Sequence, residues 1–247
     1  MPRAEKKQKR VALVTGGAKR VGRAIVERLA GEGFDIAFTF QSSDAAARQL
    51  IAALKRRGCR AIGIAVDLTQ ADAATIVADQ VRAGFDRLDV LVNSASIYQP
   101  SSLKEVTAEQ MSRFWMIHVC APMLLCRELG TMLRRSRGHV VNMVDLLAEK
   151  PWPRYLGHCA SKAGLWNLTL GLAKELAPEV TVNGIAPGVV EWSGAETAQT
   201  RAKYLRRVPL GTEGSPRDVA EWVRFLHEDG RYITGQIIRL DGGRSAT

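Results

Sequence analysis

Seven short apolar runs recur along the 247 residues: "RVALVT", "DIAFTF", "RAIGIAV", "LDVLVNSA", "GHVVNMV", "VTVNGIA" and "QIIRL". Each is continuous rather than alternating, as expected of strands buried on both faces of a parallel sheet. Between them lie stretches such as "RVGRAIVERLAGEG", "AAARQLIAALKRRG" and "CASKAGLWNLTLGLAKELA", in which apolar residues return every three or four positions, the period of a helix with one buried face. The alternation predicts an α/β fold, a doubly wound, seven-stranded parallel sheet with helices on both faces and ligands at the carboxyl ends of its strands. From about residue 190 to 215 the alternation breaks into a Gly- and Pro-punctuated stretch around one short helix. This is a candidate substrate lid, with an ordinary surface excursion as the alternative.

An apolar share of 46% against 24% charged residues is enough to fill one large core, so residues 10–247 are read as a single dinucleotide-binding and catalytic domain. No apolar run reaches the roughly 18–20 residues of a membrane span, and the N-terminus lacks a secretory apolar core; a cytoplasmic protein without a membrane partner is expected. Of the formal charge of +10, the first ten residues, "MPRAEKKQKR", carry +4. Residues 1–9 therefore read as a flexible basic tail, and no nucleic-acid motif accompanies it. Cys59, Cys120, Cys126 and Cys159 have neither disulfide nor metal-ligand spacing, and no metal is expected.

"VTGGAKRVG" follows the first apolar run and opens the first helical stretch, the place where a pyrophosphate needs close backbone approach and a helix N-terminus. Gly16, Gly17 and Gly22 leave room for it. This strand–turn–helix is the dinucleotide end of a Rossmann fold. No carboxylate stands at positions 39–43, where one would grip the free ribose hydroxyls of NAD. Arg20, Ser42 and Ser43 instead offer a cation and hydroxyls to a 2′-phosphate, so NADP(H) is the expected cofactor; the bland alternative is a solvated Arg20. Asp67, ending the third run, is placed to accept from an adenine amino group.

"NSAS" (93–96), "GHVVNMVD" (138–145), "HCASKAG" (158–164), "VNGIAPG" (182–188) and "YITGQIIRLDGG" (232–243), with the glycine turn, resemble the short-chain dehydrogenase/reductases over residues 10–243. Within that family the chain looks most like the pteridine and dihydromonapterin reductases, through the "TGGAKRVG" turn and an aspartate where most relatives place the active-site serine. The resemblance implies cofactor contacts from Gly16, Lys19, Arg20, Val21, Leu68, Asn93, Ala95, Ser96, Lys162, Pro187, Gly188 and Val190. It also implies stacking of a pterin on Tyr98, a substrate contact from Trp192, and a homotetramer built on the helices around 108–134 and 153–176. Without the resemblance, Tyr98 reads equally well as a loop aromatic packed on the core.

The catalytic set departs from the family pattern at three positions. Asp145, thirteen residues before His158, takes the serine's place; a carboxylate repels a ketone oxygen but hydrogen-bonds to a ring N–H or aminopyrimidine. His158 stands where the family has the tyrosine one helical turn before Lys162. An imidazole reaches roughly 2 Å less far than a phenol, so a bridging water and slow, pH-shifted turnover are expected. His118 replaces the family's relay asparagine and reads either as a proton relay or as a buried, satisfied histidine.

Together these predict an NADPH-dependent oxidoreductase acting on a pterin-like or related heterocyclic C=N. The alternatives are a catalytically impaired NADP(H)-binding regulatory protein and a reductase of another carbonyl or enoyl substrate. Trp152 joins Trp192 near the expected cleft, whereas Trp222 reads as packing. His139 and His227 read as surface or strand-edge residues.

Overall fold

The computed structural model describes residues 9–192, 194 and 196–246. All but the last residue of the expected basic tail lies outside them; Lys9 donates from Nζ to the Gly58 carbonyl (2.7 Å). The seven apolar runs form β1 (Val11–Val14), β2 (Asp35–Phe40), β3 (Ala61–Ala65), β4 (Val90–Asn93), β5 (His139–Met143), β6 (Thr181–Pro187) and β7 (Ile237–Leu240). They make one sheet in the order β3-β2-β1-β4-β5-β6-β7, every neighbouring pair parallel. β1 and β4 are buried at every position, which is why their sequence is continuous rather than alternating.

Helices α1 (Arg20–Gly31), α2 (Asp44–Arg56), α3 (Ala73–Gly84), α4 (Ala108–Trp115), α5 (Ala121–Ser136), α6 (Leu156–Glu175), α7 (Ala198–Leu205) and α8 (Pro216–Glu228) cover both faces. On one face α1 buries Ile25, Val26 and Leu29 against Val219, Val223 and Leu226 of α8 and the β1 and β2 side chains Val14 and Phe38. On the other, Val77 and Val81 of α3 meet Leu125, Leu129 and Leu133 of α5 over Leu13 and Leu91. Each such leucine or isoleucine contributes roughly 1.5–3 kcal/mol by leaving water. α8 begins at a capping box: the Ser215 hydroxyl accepts from the Asp218 N–H, the Asp218 carboxylate accepts from the Ser215 N–H, and Pro216 follows at the first helical position.

α4 and α5 are joined by a π-helical turn, Met116–Cys120, into one helical stretch, Ala108–Ser136, long and apolar enough to cross a membrane by length and composition. Half of its most apolar window is buried inside the fold, because α5 lies on the sheet; this is the apolarity of a core helix. No single uninterrupted run announces it in the sequence, since Glu109, Arg113, Arg127 and Glu128 break the pattern on the exposed side. Strand order reverses between β1 and β4, so the loops leaving these strands diverge and open a crevice at their carboxyl ends.

His139 and His227 are buried, not surface or strand-edge residues. β5 is an interior strand and α8 covers its amino end, so the two rings meet edge-to-face at 4.9 Å. His139 shares a hydrogen with the Thr181 hydroxyl (2.6 Å), and Arg10 reaches His227 Nε2 (3.2 Å) while its guanidinium lies over Phe34. Trp222 packs against Phe225 of its own helix, as expected of a packing residue.

Candidate active site

The crevice is a cleft of about 470 Å³. Gly16, Lys19, Arg20, Val21 and Gly22 line it from the turn after β1, Thr39, Phe40 and Gln41 from β2, Asp67, Leu68 and Thr69 after β3, Ala95, Ser96, Ile97 and Tyr98 after β4, and Val190 and Glu191 after β6. Its glycines meet steric demands. At Gly16, φ is +67° and a Cβ would stand 3.0 Å from the Ala95 Cα; at Gly22 it would stand 2.3 Å from the Gly16 carbonyl oxygen. The Thr15 hydroxyl accepts from the N–H groups of Ser94 and Ala95 (2.9 and 3.0 Å), clamping the β4 loop to the glycine turn.

Arg20 is held at φ +53°, a left-handed conformation in which a side chain costs about 1–2 kcal/mol, where glycine would be relaxed. Its guanidinium faces Glu191 across the cleft mouth, Nε to Oε2 at 3.1 Å and the Glu191 carbonyl at 3.2 Å. Asp67 keeps its charge: burial pushes its carboxyl upward, but the Thr69 N–H (2.9 Å) and hydroxyl (2.8 Å) donate to it and leave it below the ordinary aspartate value.

Several expected cofactor residues do not line the cleft. Ser42 and Ser43 lie beyond it, Ser42 exposed and Ser43 preceding α2, because β2 ends early enough for Thr39, Phe40 and Gln41 to form the wall. Asn93 is buried beneath it, donating to Asn142 Oδ1 (2.8 Å) while its own Oδ1 finds no partner. Pro187 ends β6 and Gly188 follows it, packed closely on Asp241 and the Tyr204 hydroxyl, and Lys162 likewise lies outside the lining.

The expected catalytic residues converge. Asp145 and Lys162 flank the β5 end: the Lys162 Nζ donates to the Met143 carbonyl (2.6 Å), and burial pulls its ammonium down to about 8, only partly opposed by Asp145. Asp145 caps the short 3-10 turn Leu146–Ala148, accepting from the Leu147 N–H at Oδ1 (2.8 Å), and offers Oδ2 to His158 Nε2 (3.1 Å). The other nitrogen of His158, Nδ1, faces the Ile97 carbonyl (3.1 Å). A carbonyl only accepts, so Nδ1 carries a hydrogen. Nε2 and the Asp145 carboxylate stand close enough to share one proton.

The His158 side chain is 2% exposed and that of Asp145 26%, so the carboxyl, not the imidazole, is the part of the pair that reaches the surface. Tyr98 stands edge-on to His158 (5.0 Å) and stacks on Tyr155 (4.7 Å, 13° between planes). Burial and the neighbouring Tyr155 and Asp145 push the Tyr98 phenol far above its ordinary value, so it stays neutral. From α7, Tyr204 packs edge-on to both Trp152 (6.0 Å) and Trp192 (5.6 Å) and accepts from the Val189 N–H (3.1 Å). Trp192 also donates to Glu213 and lies under the Arg201 guanidinium.

His118, on the π turn, has both ring nitrogens engaged: Nε2 with the Ser96 hydroxyl (2.8 Å) and the Ile97 N–H (3.3 Å), Nδ1 with the Ser161 hydroxyl (2.8 Å). Burial first, then Lys162 and His158, holds it well below the ordinary histidine value and hence neutral. Tyr155, Tyr204, Ser161 and Glu191 escape the sequence reading, as does the Ile97 backbone. Among the described residues no group of three or more His, Cys, Asp or Glu is arranged to hold a metal.

A parallel sheet with a glycine-turn cleft at its strand-order reversal, and a carboxylate, an imidazole and a lysine at the β5 end, defines a dinucleotide-dependent oxidoreductase of the α/β class. The comparisons agree. A family profile described as Enoyl-(Acyl carrier protein) reductase matches residues 16–245, and the chain belongs to the short-chain dehydrogenase/reductase family. It is 32% identical over 241 residues to an uncharacterized oxidoreductase of Methylorubrum extorquens (95% of this chain, 97% of that protein). It is 31% identical over 243 residues to the 3-oxoacyl-[acyl-carrier-protein] reductase FabG of Staphylococcus aureus (96% and 98%).

Among solved structures it is similar to a blue fluorescent protein from a metagenomic library in complex with NADPH (34% identity, TM-score 0.91, 96% and 98% coverage). It is similar also to a short-chain dehydrogenase/reductase from Serratia marcescens (29%, TM-score 0.91, 96% and 98%). The chain is thus an NAD(P)-dependent oxidoreductase by family. The relatives named here include a ketoreductase and no pteridine reductase, so the closer resemblance drawn from the sequence rests on this chain's own residues.

Proposed function

We propose that this protein is an NADPH-dependent reductase of a planar nitrogen heterocycle carrying a C=N bond, pterin-like in shape. The observation that carries the reading is Asp145 placed against His158, at the position where the family's serine would bind a carbonyl. A carboxylate there repels a ketone oxygen and attracts a ring N–H.

The cleft fits a phosphorylated dinucleotide: Gly16 and Gly22 leave backbone space that a Cβ would fill, the end of β2 presents no carboxylate, and Arg20 keeps a strained left-handed backbone beside Lys19. When bound, NADPH supplies a hydride to the ring carbon. Lys162, fixed by the Met143 carbonyl, would hold its positive charge toward the nicotinamide ribose. Asp145 passes the proton held between it and His158 to the ring nitrogen, and water restores that proton to the pair. The Tyr98–Tyr155 stack covers the imidazole, while Trp152, Trp192 and Tyr204 form an aromatic wall suited to a flat ring.

A second reading, reduction of a 3-oxoacyl thioester, is favoured by the similarity to the 3-oxoacyl-[acyl-carrier-protein] reductase of Staphylococcus aureus. We further propose a cytoplasmic homotetramer, supported by Met111, Trp115 and Met123 standing exposed along α4 and α5; its check is a solution mass of four chains.

The decisive assay follows NADPH oxidation between pH 5 and 8 with dihydropterins, dihydrofolate and a 3-oxoacyl thioester. Turnover of a heterocycle supports the first reading. Turnover of the thioester alone replaces it with the second, and no turnover on any of them leaves an NADP(H)-binding protein without this chemistry.

A further inference from the structure

The two histidines that replace the family's usual residues are joined by more than proximity. Ile97 uses both of its main-chain groups on them: its N–H donates to His118 Nε2 (3.3 Å) and its carbonyl accepts from His158 Nδ1 (3.1 Å). A second route runs through Ser161, whose hydroxyl contacts His118 Nδ1 (2.8 Å) and donates to the His158 carbonyl (2.9 Å). The rings stand perpendicular with centroids 5.3 Å apart, and Phe114 packs on both.

We infer that His118 is a positioning residue that fixes the tautomer of His158, by holding Ile97 and Ser161 where they bind it. The hydrogens follow from the partners. Because the Ile97 N–H can only donate, His118 Nε2 is an acceptor; the neutral ring then carries its hydrogen on Nδ1 and gives it to Ser161, whose own hydrogen goes to the His158 carbonyl. The Ser96 hydroxyl adds a second donor to Nε2. A proton arriving at Nε2 would confront the Ile97 N–H, donor against donor, so the ring serves badly as a proton relay and well as a fixed acceptor.

With Ile97 held from its amide side, its carbonyl stays aimed at His158 Nδ1. That leaves Nε2, and not Nδ1, to share a proton with Asp145. The charged and titratable groups around His158 are Asp145 from the β5 end, Lys162 and Cys159 of its own helix, Tyr155 at that helix's start, Tyr98 from the β4 loop and His118 from the π turn. None of them replaces Ile97 as the partner of Nδ1.

A chain that had merely lost its catalytic residues has no reason to keep both main-chain groups of one residue bonded to two new imidazoles. The two substitutions act as one unit. This inference rests on the proposed role of the Asp145–His158 pair for its importance, but its first test needs no substrate.

Imidazole ¹⁵N NMR of the substrate-free protein reports the proton position on each histidine ring. The expected His158 pattern has Nδ1 protonated. In His118→Asn the amide nitrogen takes the place of Nδ1 and keeps Ser161, but no atom reaches Ile97, and the Nδ1 signal should move toward a mixture of tautomers. In His118→Gln the amide oxygen takes the place of Nε2, and the wild-type pattern should return. Ser161→Ala keeps both histidines, cuts the second route by removing the partner of His118 Nδ1, and should produce a partial shift, which keeps the test open if His118→Asn does not fold.

Where heterocycle reduction is measurable, kcat should fall at least tenfold in His118→Asn, with KM for NADPH within twofold, and recover to within threefold in His118→Gln. An unchanged His158 spectrum in both His118→Asn and Ser161→Ala overturns the inference whether or not the protein reduces anything. A spectrum that responds as expected, in a protein that turns nothing over, upholds it and removes the proposed reaction instead.

Discussion

Arg20 and Glu191 bridge the mouth of the cofactor cleft, joining the glycine turn after β1 to the segment after β6 through a 3.1 Å contact. Both side chains are more than a third exposed, so the pair is worth at most about 1 kcal/mol, too little to lock the cleft yet enough to compete with a 2′-phosphate for the guanidinium. Glu191→Gln should therefore tighten NADPH binding by up to roughly fivefold and leave NADH within error. Titration calorimetry checks it. Equal effects on the two cofactors would mean that Arg20 does not meet the 2′-phosphate.

The left-handed backbone of Arg20 gives a second expectation, because strain and binding separate on substitution. Arg20→Ala and Arg20→Gly both remove the guanidinium and should weaken NADPH by roughly 10–100-fold, the worth of a charged hydrogen bond. Only glycine relieves the strain. The Gly variant should be more stable than the Ala variant by about 1 kcal/mol in urea unfolding. Equal stability of the two would remove strain from the account of this turn.

Much of this was legible in the chain because the signal was local. The seven strands were readable from continuous apolar runs, and the phosphate turn from glycines whose missing side chains make room for backbone. Arg20 could be placed at the cleft, and Asp145, His158 and Lys162 together beside the β5 end, for the same reason: each follows a strand end or sits in the first two turns of a helix. What the sequence withheld depends on long-range contact. Glu191 meets Arg20 across 171 residues, and Tyr204 reaches Trp152 across 52. The π turn at Met116–Cys120 has no periodic signature; it accompanies a His118 ring that spans from Ser96 to Ser161. His139 and His227 were misjudged because an isolated histidine carries no period, and only the sheet order reveals that α8 covers β5.

That buried pair governs acid stability. Burial, together with His227 for His139 and Arg10 for His227, lowers both to about 4. The unfolded chain, with histidines near 6.5, binds more protons between pH 6.5 and 4, so stability falls as pH drops through that window and is level above it. The loss should total a few kcal/mol. The buried, neutral His118 adds to the same slope, so His227→Gln should remove about a third of it. Urea midpoints measured from pH 7.5 to 4.5 check it, and a flat profile contradicts it.

Lys162 governs the alkaline side. Burial lowers its ammonium from 10.5 to about 8, so the site loses its positive charge as pH rises through 8. Reductase kcat/KM should decline above pH about 8 with a single ionisation. Stability should move the other way, rising from pH 8 to 10.5, because the unfolded lysine holds its proton longer. Activity that stays level to pH 10 would place the charge elsewhere.

The central claim is that Asp145 selects a nitrogen heterocycle over a ketone. Its most direct measurement is the ratio of kcat/KM for a dihydropterin to that for a 3-oxoacyl thioester, in the wild-type chain and in Asp145→Ser. The account predicts a wild-type ratio above one that falls by at least about a hundredfold on substitution, as the hydroxyl accepts a ketone oxygen and no longer supplies the proton. A ratio below one in the wild type, or one that the substitution leaves unchanged, contradicts it.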